Sequence, residues 1–138
     1  MSLNEYYWNL ANVSAEISGL NARFIYSQWV HESAYFSSDL AIEYNNLGGL
    51  TQESPNDTPQ PDGLNYYMQF ATPEDYADYF GRYLKLYAED GIYEANDIPG
   101  YAAALKHGWY FGDTLENYIA GMTSAYNEAF GGNEGCDQ

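Results

Sequence analysis

The sequence predicts a mostly helical α+β domain with one small irregular lobe, and three observations carry that expectation. Several segments repeat apolar or aromatic residues at helical spacing between helix-starting and helix-stopping residues; residues 51–65 are dense in proline and turn formers; and one short aromatic run reads as a strand. At 138 residues the chain fits a single domain over 1–138 with one core, about 4–130, and a flexible tail over 131–138.

Residues 4–17 place Tyr6, Leu10, Val13 and Ile17 at intervals of three and four, and Gly19 supplies a stop. Asn21 can cap a second helix, about 22–34, in which Ile25, Gln28, Trp29 and Glu32 share a face and Glu32 falls near the C-terminal end. From Thr51 to Asn65 the residues Pro55, Pro59, Pro61, Asp57, Asp62 and Gly63 exclude helix and predict the irregular lobe or a short hairpin. Tyr66 to Phe70 is the one good strand candidate. Thr72-Pro73-Glu74-Asp75 starts the next helix with a capping hydroxyl, a first-turn proline and two acids at the positive end of the dipole. Tyr76, Tyr79, Phe80, Tyr83, Leu84 and Tyr87 form its apolar face. A short helix follows Asp97 and Pro99 and ends at Gly108. The last helix, about 114–129, carries Leu115, Tyr118, Ile119, Met122 and Tyr126 and stops at Gly131-Gly132.

Composition narrows the function. With 46% hydrophobic and 18% aromatic residues the chain can fold despite a formal charge of -16. Its only basic residues are Arg23, Arg82, Lys85 and Lys106, so nucleic acid and anionic membrane surfaces are excluded as partners. Cys136 alone forms no internal disulfide and no thiolate cluster. No stretch reaches the length of a membrane span, and Met1 to Glu5 lacks the basic region and apolar run of a secretory signal, so export is expected to take another route. Asp57, Asp62 and Asn65 do not follow the order of a calcium loop, and no metal or cofactor is expected.

A carboxylic acid kept protonated near neutral pH can donate to a leaving oxygen, and burial beside aromatic surface produces that state by disfavouring the charged form. Glu32, between Trp29 and Tyr35, suits this role, against the competing reading of a solvated carboxylate in a chain with 20 acidic residues. His31 adjoins Glu32, but adjacent helical residues point about 100 degrees apart, so His31 and His107 read as structural or exposed.

The segments Ser27-Gln28-Trp29-Val30-His31-Glu32-Ser33-Ala34, Ser38-Asp39-Leu40-Ala41 and Asn45-Asn46-Leu47-Gly48-Gly49-Leu50 are followed in order by Tyr67 to Asp75, then Trp109-Tyr110-Phe111-Gly112-Asp113 and Tyr118. Together, over about 20–126, they resemble the glucosaminidase family of bacterial cell-wall hydrolases (glycoside hydrolase family 73), whose members carry A-Q-x-x-L-E-S-x-x-G-x-S-x-L-A, N-L-F-G and G-Y-x-T-D. The resemblance implies a lysozyme-like fold and endo-beta-N-acetylglucosaminidase action on peptidoglycan, at the bond between N-acetylglucosamine and N-acetylmuramic acid. It makes Glu32 the general acid, Tyr110 the tyrosine that shapes the sugar site, and Asn46, Trp29, Tyr118 and Tyr67 further substrate-binding positions. A second carboxylate is expected from the lobe, Glu53 before Asp57 or Asp62; the alternatives are that these acids only solvate a loop, or that a substrate acetamido group replaces them.

The wording His31-Glu32-Ser33 and Asn46-Leu47-Gly48-Gly49 is similar to variants in phage tail-associated wall hydrolases, which implies an extracellular or virion-associated protein whose partners are peptidoglycan strands and other phage tail proteins. Three departures stand out: the family glycine after E-S-x-x is replaced around Tyr35-Phe36, the N-L-F-G phenylalanine is replaced by Gly48, and Trp109 stands where glycine is usual. Hydrolysis, lytic transglycosylation and a non-catalytic wall-binding or tail structural module remain open at the level of sequence.

Overall fold

A computed structural model describes residues 2–51 and 67–131. The proline-rich segment with Glu53, Asp57 and Asp62, and the tail 132–138 with Cys136, lie outside the described residues.

Among the described residues the chain forms α1 (Glu5–Ser18), α2 (Ala22–Ser33), α3 (Asp39–Tyr44), α4 (Pro73–Leu84), α5 (Ile98–His107) and α6 (Leu115–Phe130), with 3-10 turns at Lys85–Asp90 and Ile92–Glu94. Each α-helix opens with a side-chain cap: Asn4 accepts from the Tyr7 amide, Asn21 from Arg23, Ser38 from Ala41, Thr72 from Asp75, Asp97 from Gly100 and Thr114 from Asn117. Such caps contribute about 1 kcal/mol each and fix where the helices begin. Gly19 and Gly131 end α1 and α6 in the left-handed conformation that glycine adopts without a Cβ penalty.

α2 is the central element. Phe24, Ile25, Tyr26 and Trp29 are all buried, with α1 on one side and α6 on the other. α4 lies along α1, and α5 supports α6. No helix among the described residues is long and apolar enough to cross a membrane.

The buried face of α1 differs from the predicted one. Tyr6 is 47% and Val13 41% exposed, whereas Leu10, Ala11, Ser14 and Ser18 are buried. The periodicity followed the large residues, but close approach to α4 selects small ones. The Ser14 hydroxyl donates to the Ala77 carbonyl at 2.6 Å, and a Cβ on Gly81 would stand 2.8 Å from the Ile17 Cβ and 2.9 Å from the Ser14 carbonyl oxygen. The apolar face predicted to run on to Tyr87 also crosses a change of pitch, because the α-helix tightens into 3-10 after Leu84.

The expected strand at 66–70 is reduced, among the described residues, to one antiparallel bridge between Thr51 and Tyr67. The following backbone finds other partners. The Met68 amide donates to Leu50 at 2.9 Å and the Phe70 amide to Tyr44 at 2.8 Å, while the Asn46 side chain donates to the Leu50 and Met68 carbonyls and accepts from the Leu50 amide. A side-chain amide thus does work that a neighbouring strand would otherwise do, and the structure is mostly helical without a β-lobe among its described residues.

After α2 the residues Ala34, Tyr35 and Phe36 all have positive φ, 53°, 56° and 64°. Left-handed backbone disfavours non-glycine residues by roughly 1–2 kcal/mol each, which gives the family glycine near this point its physical reason. Here the turn is held by the Ser33 hydroxyl, which accepts from the Phe36 amide at 2.7 Å, and by Phe36 stacked on Tyr7 with ring centres 4.0 Å apart.

Candidate active site

The C-terminal end of α2, the 48–51 turn, Tyr67, residues 110–113 and Tyr118 of α6 enclose a cavity of about 440 Å³. A depression of about 450 Å³ beside Asn9, Asn12 and Glu16 is lined by residues of α1 alone, so it gathers no groups from different elements. The first cavity does, and it contains Glu32.

Glu32 Oε2 accepts a hydrogen bond from the Tyr118 hydroxyl at 2.7 Å. Its other oxygen faces Gly49, where an added Cβ would lie 3.5 Å away. Burial pushes the Glu32 carboxyl up to about 7; the Tyr118 bond opposes this by favouring the ionised form, and the Asp113 charge adds to it. Glu32 therefore exchanges its proton near neutral pH.

Tyr118 is itself well prepared to donate. Burial holds its phenol well above the ordinary value, and the neighbouring Glu32 raises it further, so the hydroxyl keeps its proton. Phe111 stacks on the ring at 3.7 Å and His31 meets it edge-on at 4.8 Å. The buried Tyr101 hydroxyl donates to the buried Gln28 Oε1 at 2.6 Å.

Of the residues expected from sequence, Glu32, Tyr67, Tyr110 and Tyr118 line the cavity together. The Tyr110 hydroxyl donates to the Gly48 carbonyl at 2.7 Å. A Cβ on Gly48 would stand 2.5 Å from both the Tyr110 and Tyr76 hydroxyl oxygens, so glycine at the phenylalanine position of the motif makes room for these two phenols.

Trp29 is a correction. It is fully buried against Tyr76 and Phe80, below the cavity, and offers no face to a sugar. Asn46 is buried as well and commits its amide to the backbone of Leu50 and Met68, so it shapes the turn under Gly48 and does not reach substrate. Tyr35, expected beside Glu32, instead packs on Phe36 and donates to the Ser2 carbonyl. Glu53, Asp57 and Asp62 lie outside the described residues.

His31, Asp113, Phe111 and Leu40 are lining residues that the sequence reading did not place. The 100-degree argument failed for His31 because its ring swings to α6, into a notch left by Gly121: an added Cβ there would overlap the imidazole. That glycine inside a helix was the signal available. Burial lowers the His31 pKa and Asp113 partly restores it. The exposed His107 pairs with Asp90 at 2.6 Å, away from the cavity. Among the described residues no group of three or more histidine, cysteine or acidic side chains is gathered as a metal site.

A family model, Glucosaminidase, described as mannosyl-glycoprotein endo-beta-N-acetylglucosaminidase, matches residues 8–129. No curated protein and no solved structure matches the chain.

Proposed function

The chain belongs to the glucosaminidase family, and from that premise we propose that it cleaves the glycan strand of peptidoglycan as an endo-beta-N-acetylglucosaminidase with Glu32 as general acid. The observation that carries this reading is a carboxyl group in a cavity, raised to about 7 by burial and held on one oxygen by a phenol. With Tyr118 donating to Oε2, the carboxyl proton belongs on the other oxygen, on the Gly49 side, where a glycosidic oxygen can receive it. As the proton leaves, the Tyr118 bond becomes charge-assisted and stabilises the carboxylate that remains. Tyr67, Tyr110 and Phe111 supply the aromatic part of the cavity wall.

The family description names a glycoprotein glycan; peptidoglycan shares with it the β-linked N-acetylglucosamine on which this chemistry acts. The proposal includes a single lysozyme-like domain over 1–138, working outside the cell or on a virion, in the manner of the phage tail-associated hydrolases that the 31–33 and 46–49 segments resemble.

Mass spectrometry of reduced muropeptides released by wild-type protein and by Glu32→Gln tests the reading, with a high-mannose glycoprotein as parallel substrate. Products with reducing N-acetylglucosamine ends, absent with the variant, are the expected result. Anhydro-muramyl products would assign lytic transglycosylation, release of glycoprotein glycan alone would move the substrate, and binding without any product would make the chain a wall-binding module.

A further inference from the structure

We infer that Asp113 is the second carboxylate of this site, taking the proton of the attacking water from the loop that leads into α6. The inference rests on the proposed function and adds the group that the sequence reading sought in the 53–62 segment.

Asp113 and Glu32 reach one cavity from different elements, the 110–113 loop and the end of α2. The loop is tied down: Lys106 Nζ donates to the Asp113 carbonyl at 2.6 Å, and Tyr110 is anchored to Gly48. The hydrogen bonds to the Asp113 carboxylate, from the Thr114 amide at 2.7 Å and from Asn117 Nδ2 at 3.2 Å, both fall on Oδ1, which leaves Oδ2 for water. The cap of α6 is Thr114, through the Asn117 amide, and Asp113 supports that start only through Oδ1.

Charge agrees with placement. The Thr114 and Asn117 bonds, with smaller help from His31 and Lys106, hold Asp113 below the ordinary carboxylate range, while its charge helps keep Glu32 protonated. Two carboxyls of one site pushed in opposite directions are an assigned acid and base. Among the described residues, His31, Lys106, Tyr118, Tyr110, Tyr76 and Tyr67 are further titratable groups around this pair.

The step balances. Glu32 gives its proton to the glycosidic oxygen, the bond from the anomeric carbon breaks with its electron pair going to that oxygen, and water bonds to the anomeric carbon while Asp113 Oδ2 takes its proton. Asp113 is exposed and returns that proton to solvent, from which Glu32 recovers its own.

The full chain is assayed on purified peptidoglycan as wild type and Asp113→Asn, and as Asp113→Ala and Glu53→Ala, each with and without sodium azide. Asparagine keeps the Oδ1 acceptor, so its thermal midpoint is expected to stay near wild type. Its kcat is expected to fall about 10²–10⁴-fold with KM little changed. Its alkaline limb should move to lower pH, because Glu32 loses a neighbouring charge. Azide should restore turnover to Asp113→Ala and appear in product as a glycosyl azide, which a structural role would not produce. Activity of Asp113→Asn within about threefold of wild type, loss at Asp113→Ala without azide rescue, or azide rescue at residue 53 in place of residue 113 overturns the inference while leaving the functional reading intact. A wild type that releases no product overturns that reading itself, and this one with it.

Discussion

Glu32 ties stability to chemistry at the scale of one residue. An unfolded glutamate ionises near 4.5 and the folded one near 7, so the folded state holds the extra proton and stability falls as pH rises between those values. The span corresponds to about 3 kcal/mol, and partial solvent access brings the expected effect to about 2 kcal/mol. Glu32→Gln should abolish turnover and, in urea unfolding, be more stable than wild type by about that amount at pH 8, with little difference at pH 4. Tyr118→Phe removes the bond that favours the ionised form. The alkaline limb of activity should move up by about one pH unit, measured as kcat against pH on muropeptide release. The place of Glu32 in the cavity was legible because its motif and its position on the α2 face agreed. Trp29 was misjudged because an aromatic one turn from an acid looks the same in sequence whether its ring meets solvent or Phe80. His31 was missed because only tertiary structure says which notch a ring enters.

Elements were easier to read at their starts than along their faces. Five of the six caps follow Asx, serine or threonine signals in segments recognised as helices, but α3, six residues long, is too short to show periodicity even though Ser38 caps it. The α1 face was misread because seams of small residues carry little hydrophobic signal. Gly81→Ala tests that seam. Helix propensity alone would favour alanine by about 1 kcal/mol, yet the overlap with Ile17 and the Ser14 carbonyl should make the variant less stable than wild type by about 1–3 kcal/mol in thermal unfolding. Trp109 shows the opposite situation. It has φ 68° and is 86% exposed, so Trp109→Gly should raise stability by about 1 kcal/mol in denaturant titration. The glycine usual at this point in the family motif thus answers to backbone conformation.

For the whole molecule, the formal charge of -16 sets the response to salt. Self-repulsion among exposed carboxylates weakens the compact state, and the screening length falls from about 30 Å at 0.01 M to about 10 Å at 0.1 M. The melting temperature should rise across that interval and level off beyond it, as calorimetry at fixed pH would measure; a flat response would mean that the acids are already neutralised locally. Composition marked a chain able to fold despite its charge, since it is a sum over residues, while apolar spacing and helix-start residues marked it as mostly helical. The arrangement of α2 between α1 and α6, and the convergence of five chain segments on Glu32, are products of long-range packing that a linear reading does not contain.

The notch at Gly121 has a historical consequence. With an imidazole seated against that bare Cα, the two positions cannot change in either order with equal ease. Position 31 is free to lose its ring while 121 stays glycine, but 121 gains even a methyl group only if the ring first swings out of the notch. A lineage could seat His31 in this notch only on a glycine background, and having done so would be held there until the ring moved or was replaced.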